Sequence, residues 1–141
     1  MKWHKSTLTL ATHGKGLYTF TDAVNAQLRT WGVHEGMCFL YCPHTSASLT
    51  INENYDPTAQ ADLEKSLEKL VPENDRWYSH DLEGPDDATS HIRTMLTDSS
   101  LTLPVDDGHL TLGAWQGVYL FEHRTHTHRR EVWIRVLNVK I

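Results

Sequence analysis

With 141 residues, 39% of them hydrophobic and 22% charged, and with 5 Trp and 5 Tyr, the chain has the make-up of one globular domain and not of a disordered or low-complexity segment. Its formal net charge of -5, from 13 Lys and Arg against 18 Asp and Glu, comes with no basic run long enough to track a phosphate backbone, so nucleic acid is not an expected partner. No apolar run approaches the ~18 to 20 residues of a membrane span, and Met1-Lys2-Trp3-His4-Lys5-Ser6 lacks the apolar core of a signal peptide, so a cytoplasmic address and no membrane partner are expected.

In chain order, Lys5 to Ala11 alternates Thr and Leu as a strand does, and Gly14-Lys15-Gly16 marks a turn into Leu17 to Phe20, predicting a first hairpin. Thr21-Asp22 offers an N-cap to a helix that Gly32 closes. Met37 to Cys42 reads as a buried strand. Four residues of strand span about 13 Å, too far for a disulfide, so Cys38 and Cys42 are expected to be free thiols. From His44 to Asn52 polar and apolar residues alternate, predicting a strand with one wet face that carries His44, Ser46, Ser48 and Thr50.

Asp56-Pro57 is a capping carboxylate before a proline at the first helical position, and Leu63, Leu67, Leu70 and Val71 supply the stripe of a second helix ending near Pro72. Asp86-Asp87 starts a short third helix whose predicted apolar face is Ala88, Ile92, Met95 and Leu96. Leu101 to Val105, His109 to Leu112, Trp115 to Glu122 and Glu131 to Ile141 read as strands of an antiparallel meander. The whole, residues 1–141, is expected to form one α+β domain, a layered and largely antiparallel sandwich or pseudo-barrel covered by about three helices.

Ten histidines is a large number, and three of them stand where packing or a helix face brings chemistry together: His44, His80 and His91. Asp87 lies four residues before His91, so on a helix it can reach that ring and fix its tautomer, as partners of metal-ligating histidines do. A set of three histidines leaves one position open for water, as in catalytic zinc sites. The alternative is that each is a packed, hydrogen-bonded side chain. Glu53, at the end of its strand, is a candidate general base, whereas Asp56 is explained by its cap. Ser46 and Ser48 are candidates for phosphate oxygens, the alternative being a solvated sheet face. Gly113-Ala114-Trp115-Gln116-Gly117 brackets Gln116 with glycines, so its amide can face a substrate, or the segment is a bulge beside a core Trp. His123 to Arg130 reads as a solvated hairpin, with Arg129 and Arg130 as possible phosphate contacts.

The segments from Pro43 to Asn54 with Asp56-Pro57, His80 with Glu83-Gly84, Asp87 and His91-Ile92, and Leu112 to Leu120 together resemble the YjbQ-like proteins over nearly the whole chain. The resemblance implies a small α/β sandwich or pseudo-barrel, usually a homotrimer, and some members carry the assignment of secondary thiamine-phosphate synthase, which moves a hydroxymethylpyrimidine group from its diphosphate to a thiazole phosphate. It places His44, His80 and His91 on the family's histidine positions and Glu53 and Asp87 on its acidic ones. Ala114 stands where Thr is common, and the turn after Glu122 is enlarged; both bear on the rim of the site. At 141 residues the chain is not the barrel of about 250 residues that dedicated thiamine-phosphate synthases resemble.

The expectation is thus a metal-assisted enzyme on a small phosphorylated substrate. Its metal is divalent, zinc first, with magnesium or manganese as alternatives. His44, His80 and His91 are the ligands, Glu53, Asp87 and Gln116 the catalytic side chains, and Ser46 and Ser48 the groups that bind the substrate's phosphate. The competing readings are a metal-dependent hydrolase, a non-catalytic metabolite- or metal-binding module, and a buried hydrogen-bond network that only rigidifies the domain.

Overall fold

Exposed residues alternate with buried or half-buried ones along Lys2–Thr12 (β1) and His128–Asn138 (β8), so each presents one face to a core and one to water. In the computed structural model, which describes residues 1–140, these two strands pair antiparallel from Lys2 with Asn138 to Thr12 with His128. Between them in the chain come β2 (Gly16–Thr19), α1 (Thr21–Trp31), β3 (Gly36–Tyr41), β4 (Ala47–Glu53), α2 (Pro57–Leu70), α3 (Asp87–Leu96), β5 (Ser100–Asp106), β6 (His109–Leu110) and β7 (Gln116–Glu122). One sheet has the order β1-β8-β3-β5-β6 and the other β2-β7-β4, and every pairing is antiparallel. The fold is the expected α+β sandwich, with three helices among the described residues.

The sheets face one another across Cys38, Leu40, Leu103, Val132, Ile134 and Val136 on one side and Leu49, Val118 and Leu120 on the other. Each such aliphatic side chain stabilises the fold by about 1.5 to 3 kcal/mol through burial. Val24 and Leu28 of α1 join this core, and Gly32, in the left-handed conformation at φ 66°, ends that helix as expected. Leu67 and Val71 cover the other face of the three-stranded sheet at Phe121, so β7 is buried on both sides. Cys38 and Cys42 are free and buried, and burial pushes their thiols up to about 12 and about 11.

Four local expectations are corrected. β1 and β2 form no hairpin, because the chain leaves one sheet and enters the other between them, through Gly14 and Gly16 at φ 126° and 148°. The C-terminal strands are no meander: β7 lies at the centre of one sheet and β8 inside the other, so the chain from His123 crosses between sheets and His128 to Arg130 already belong to β8, in place of a solvated hairpin. The face bearing Ser46 and Ser48 is dry, since β4 packs under α3. On α3 the buried residues are Asp87, Thr89, Ser90 and Arg93, while Met95 and Leu96 are 76% and 52% exposed. The helix turns its polar side inward because that side has partners there; Arg93 Nη2, for one, donates to the Val71 carbonyl.

Candidate metal centre

The loop between α2 and α3 is folded back on itself by short polar contacts. Tyr78 Oη and Thr89 Oγ1 both donate to the Pro72 carbonyl, and Asn74 N–H donates to the Pro85 carbonyl. This sets His80 over the first turn of α3. Asp87 opens that turn, and His91 stands one turn later on the same face, so the helical i,i+4 spacing foreseen from the sequence is realised.

His80 Nε2 lies 2.6 Å from Asp87 Oδ2, and His91 Nε2 lies 3.2 Å from the same oxygen. One ligand atom from each of the three residues falls within 4.8 Å of the other two. His91 Nδ1 is 2.7 Å from the Thr45 carbonyl oxygen. A carbonyl only accepts, so Nδ1 carries the hydrogen and the Nε2 of a neutral ring carries the lone pair. That lone pair faces a carboxylate oxygen, a repulsive pairing unless a proton or a cation lies between. A backbone carbonyl behind the ring is the support that ligating histidines have. The Thr45 carbonyl therefore fills the role that spacing alone had given to Asp87, while Asp87 points its own oxygen at both rings.

Asp87 is buried, with a side chain only 2% exposed, and the two histidine side chains are 56% and 37% exposed, so the cluster has a closed floor and an open top. Burial works against the charge of Asp87, but the hydrogen bond to His80 and the charges of His91 and Arg124 outweigh it and hold the carboxyl below its usual range. Arg124 Nη1 donates to Asp87 Oδ1 at 2.6 Å, Nε to Asp86 Oδ2 at 3.0 Å, and Nη2 to the Glu83 carbonyl at 3.1 Å. Sequence reasoning missed this residue by placing it in a solvated turn; the one available signal was charge complementarity with Asp86 and Asp87. On either side of His80 lies a cavity, one of about 250 Å³ with Asn74 and Arg76 in its wall, the other of about 360 Å³ between Trp77, Ile92 and His91.

The other candidates lie apart. His44 is outside the converging set: its Nε2 accepts the Glu131 N–H at 2.8 Å, and burial with the nearby Arg130 charge lowers its pKa. Ser46 Oγ accepts from Arg130 Nη2, and Ser48 Oγ is bonded to His123 Nε2 at 2.8 Å and Thr97 Oγ1 at 2.6 Å, so both hydroxyls are engaged inside the protein and not offered to a phosphate. Arg130 itself is buried in an ion pair with Glu122, which removes it as a surface phosphate contact, while Arg129 is exposed.

Glu53 pairs with Gln116 at one end of the β4–β7 ladder, and Ala47 with Glu122 at the other. Six residues of strand are about 20 Å, and it is the Ala47–Glu122 end that adjoins Thr45 and Arg124, so Glu53 and Gln116 stand well away from the histidines. Their side chains close turns instead: Glu53 Oε2 accepts from the Tyr55 and Asp56 amides, and Gln116 Oε1 from the Gly113 amide. Trp115 is 57% exposed against Tyr55, so no core Trp stands beside this segment. Gly117 is required by a close approach: a Cβ there would lie 2.9 Å from the Asn54 side chain.

A family described as UPF0047 protein YjbQ-like matches residues 6–139. The UPF0047 protein sll1880 of Synechocystis is 46% identical over 94% of this chain and 90% of its own length, and the UPF0047 protein YjbQ of Salmonella typhimurium is 45% identical over 92% and 94%. Among solved structures, an uncharacterized conserved protein of the yjbq/upf0047 family from Clostridium acetobutylicum superposes with a TM-score of 0.85 at 33% identity, covering 94% of this chain and 99% of that one. A hypothetical protein from Aeropyrum pernix does so with a TM-score of 0.86 at 26% identity, over 96% and 98%. The chain belongs to the YjbQ-like UPF0047 family.

Proposed function

We propose that this protein is a metal-assisted enzyme acting on a small phosphorylated substrate, with His80, Asp87 and His91 holding one divalent ion, zinc in preference to magnesium or manganese. The observation that carries this reading is the meeting of two imidazole Nε2 atoms at the free oxygen of a buried carboxylate, with the Thr45 carbonyl fixing the tautomer of His91. Two nitrogens and one oxygen suit zinc better than the all-oxygen sets of magnesium or calcium, and three protein ligands leave a fourth position open. When bound, such an ion supplies Lewis acidity for a departing diphosphate or for activating water.

The chain's own residues supply the rest. Arg76 and Asn74 in the cavity beside His80 offer donors to phosphate oxygens, and Trp77 and Ile92 on the other side offer an apolar wall to the remainder of the substrate. The reaction proposed is the group transfer of secondary thiamine-phosphate synthase, carried over from the resemblance read in the sequence motifs. Homotrimeric assembly in a reducing, cytoplasmic compartment is proposed with it. The assembly is supported by the uncovered outer face of the five-stranded sheet, where Trp3, Phe39, Tyr41 and Trp133 are 36% to 51% exposed, the aromatic composition of interfaces. The compartment is supported by the two free buried thiols.

The test is to incubate zinc-reconstituted protein with hydroxymethylpyrimidine diphosphate and thiazole phosphate. Thiamine phosphate and diphosphate are expected in equal amounts, dependent on metal and lost in Asp87→Asn. Diphosphate or phosphate released without thiamine phosphate would replace group transfer by hydrolysis. Metal binding with no turnover of either kind would leave a binding module.

A further inference from the structure

We infer that Arg124 is a positioning residue that makes Asp87 a one-oxygen ligand and thereby sets which cations the site prefers, an inference that rests on the metal reading above. Its guanidinium makes three separate contacts, to Asp87 Oδ1, to Asp86 Oδ2 and to the Glu83 carbonyl. The Asp86 carboxylate and the Arg124 backbone are themselves anchored. Asp86 Oδ2 also accepts the Thr125 N–H at 2.8 Å, and the Arg124 N–H donates at 3.2 Å to Glu122, whose carboxylate is fully buried against Arg130. The Arg124 side chain is 15% exposed and the Asp86 and Asp87 side chains 5% and 2%, so the clamp is shielded from solvent.

The consequence is asymmetry between the two oxygens of Asp87. Oδ1 is turned to the guanidinium, and Oδ2 alone faces His80 and His91. A carboxylate held in this way coordinates through one oxygen. Calcium, with its six to eight oxygen ligands, draws on bidentate carboxylates, whereas zinc is satisfied by four short bonds to nitrogen and oxygen. The guanidinium also offsets part of the carboxylate charge, which weakens the pull on hard cations more than on ions that bond to imidazole nitrogen. Lysine cannot reproduce this, since an ammonium lacks the fork that reaches two carboxylates and a carbonyl at once.

The experiment is a chelator-competition titration of the full chain with zinc, manganese and calcium, comparing wild type with Arg124→Lys and Arg124→Gln. The expected result is that Gln weakens zinc binding by about 10- to 100-fold, the usual effect of losing a partner behind a ligand. Manganese and calcium should change less, so that the zinc-to-manganese ratio falls, with Lys intermediate. Equal zinc affinity and an equal ratio in folded variants would overturn the inference and leave the metal reading standing. A loss shared by all three ions in equal proportion would also overturn it, because that is what a purely structural role produces. If the wild type binds no zinc saturably, both readings fall. Should the Gln variant not fold, Asp86→Asn removes the charge that pairs with Arg124 Nε while keeping an acceptor for it and for the Thr125 amide, and the same shift in ratio is expected at smaller size; an unchanged ratio there counts against the inference.

Discussion

His123 is fully buried, bonded through Nε2 to Ser48 and tilted against Phe121 with ring centroids 4.7 Å apart, and burial together with the Arg93 charge brings its pKa down to about 3. An unfolded chain takes up that proton near the ordinary histidine value of about 6.5 and the folded one does not, so stability is full above about pH 6.5 and falls as the pH drops toward 3. Urea melts at several pH values should show His123→Gln flattening that acid slope by up to about 1.4 kcal/mol per pH unit, the contribution of one proton. Arg130→Met is predicted to cost about 3 to 5 kcal/mol in the same measurement, because it leaves the Glu122 carboxylate buried without its partner. Neither residue was legible in the sequence. Their partners Ser48 and Glu122 belong to strands whose pairing the local pattern does not encode, and a His- and Arg-rich stretch reads as solvated. Asp87 and His91 were legible because helical spacing alone puts them together. His80 was legible only as a candidate, since the backbone contacts of its loop to Pro72 and Pro85 bring it to Asp87.

At the scale of elements, the sequence foretold what is local and missed what is relational. Asp56 accepts from the Thr58 amide ahead of α2, as the Asp-Pro pair predicted. For α1 the expected cap is not made; Thr21 Oγ1 accepts from the Val118 amide of β7 instead, a contact across 97 positions. The inner face foreseen for the third helix holds at Ile92, which packs half-buried against the Leu67, Val71 and Phe121 cluster, but not at Met95 and Leu96, which hydropathy ranks above Ser90 and Arg93 whereas burial follows the partners the site supplies. Met95→Gln is accordingly predicted to change stability by no more than about 0.5 kcal/mol. Arg93→Met, which strips the Val71 carbonyl of its donor, should cost about 2 kcal/mol, both read by chemical denaturation.

For the whole molecule, the sandwich leaves one broad face without a helix, and Trp133 sits there between Tyr41, at 5.6 Å, and the Arg135 guanidinium, at 5.8 Å. If that face joins copies of the chain, Trp133→Glu should turn a sedimenting trimer into a monomer while leaving zinc affinity within about threefold, because the substitution lies on an exposed strand position away from His80 and His91. Among the described residues no helix is long and apolar enough to cross a membrane. The class of fold was legible because strand alternation and three helix signals survive any rearrangement of the strands; the assignment of β1, β2, β7 and β8 to sheets was not, and with it went the placing of Glu53 and Gln116 at the far end of the ladder. That His80, Asp87 and His91 hold one divalent ion is checked by calorimetric titration of metal-stripped protein with zinc. One zinc per chain is expected, with affinity lowered in Asp87→Asn and His91→Ala by more than the ~10- to 100-fold that a supporting partner contributes. Absence of saturable binding in the wild type, or equal binding in all three proteins, would contradict it.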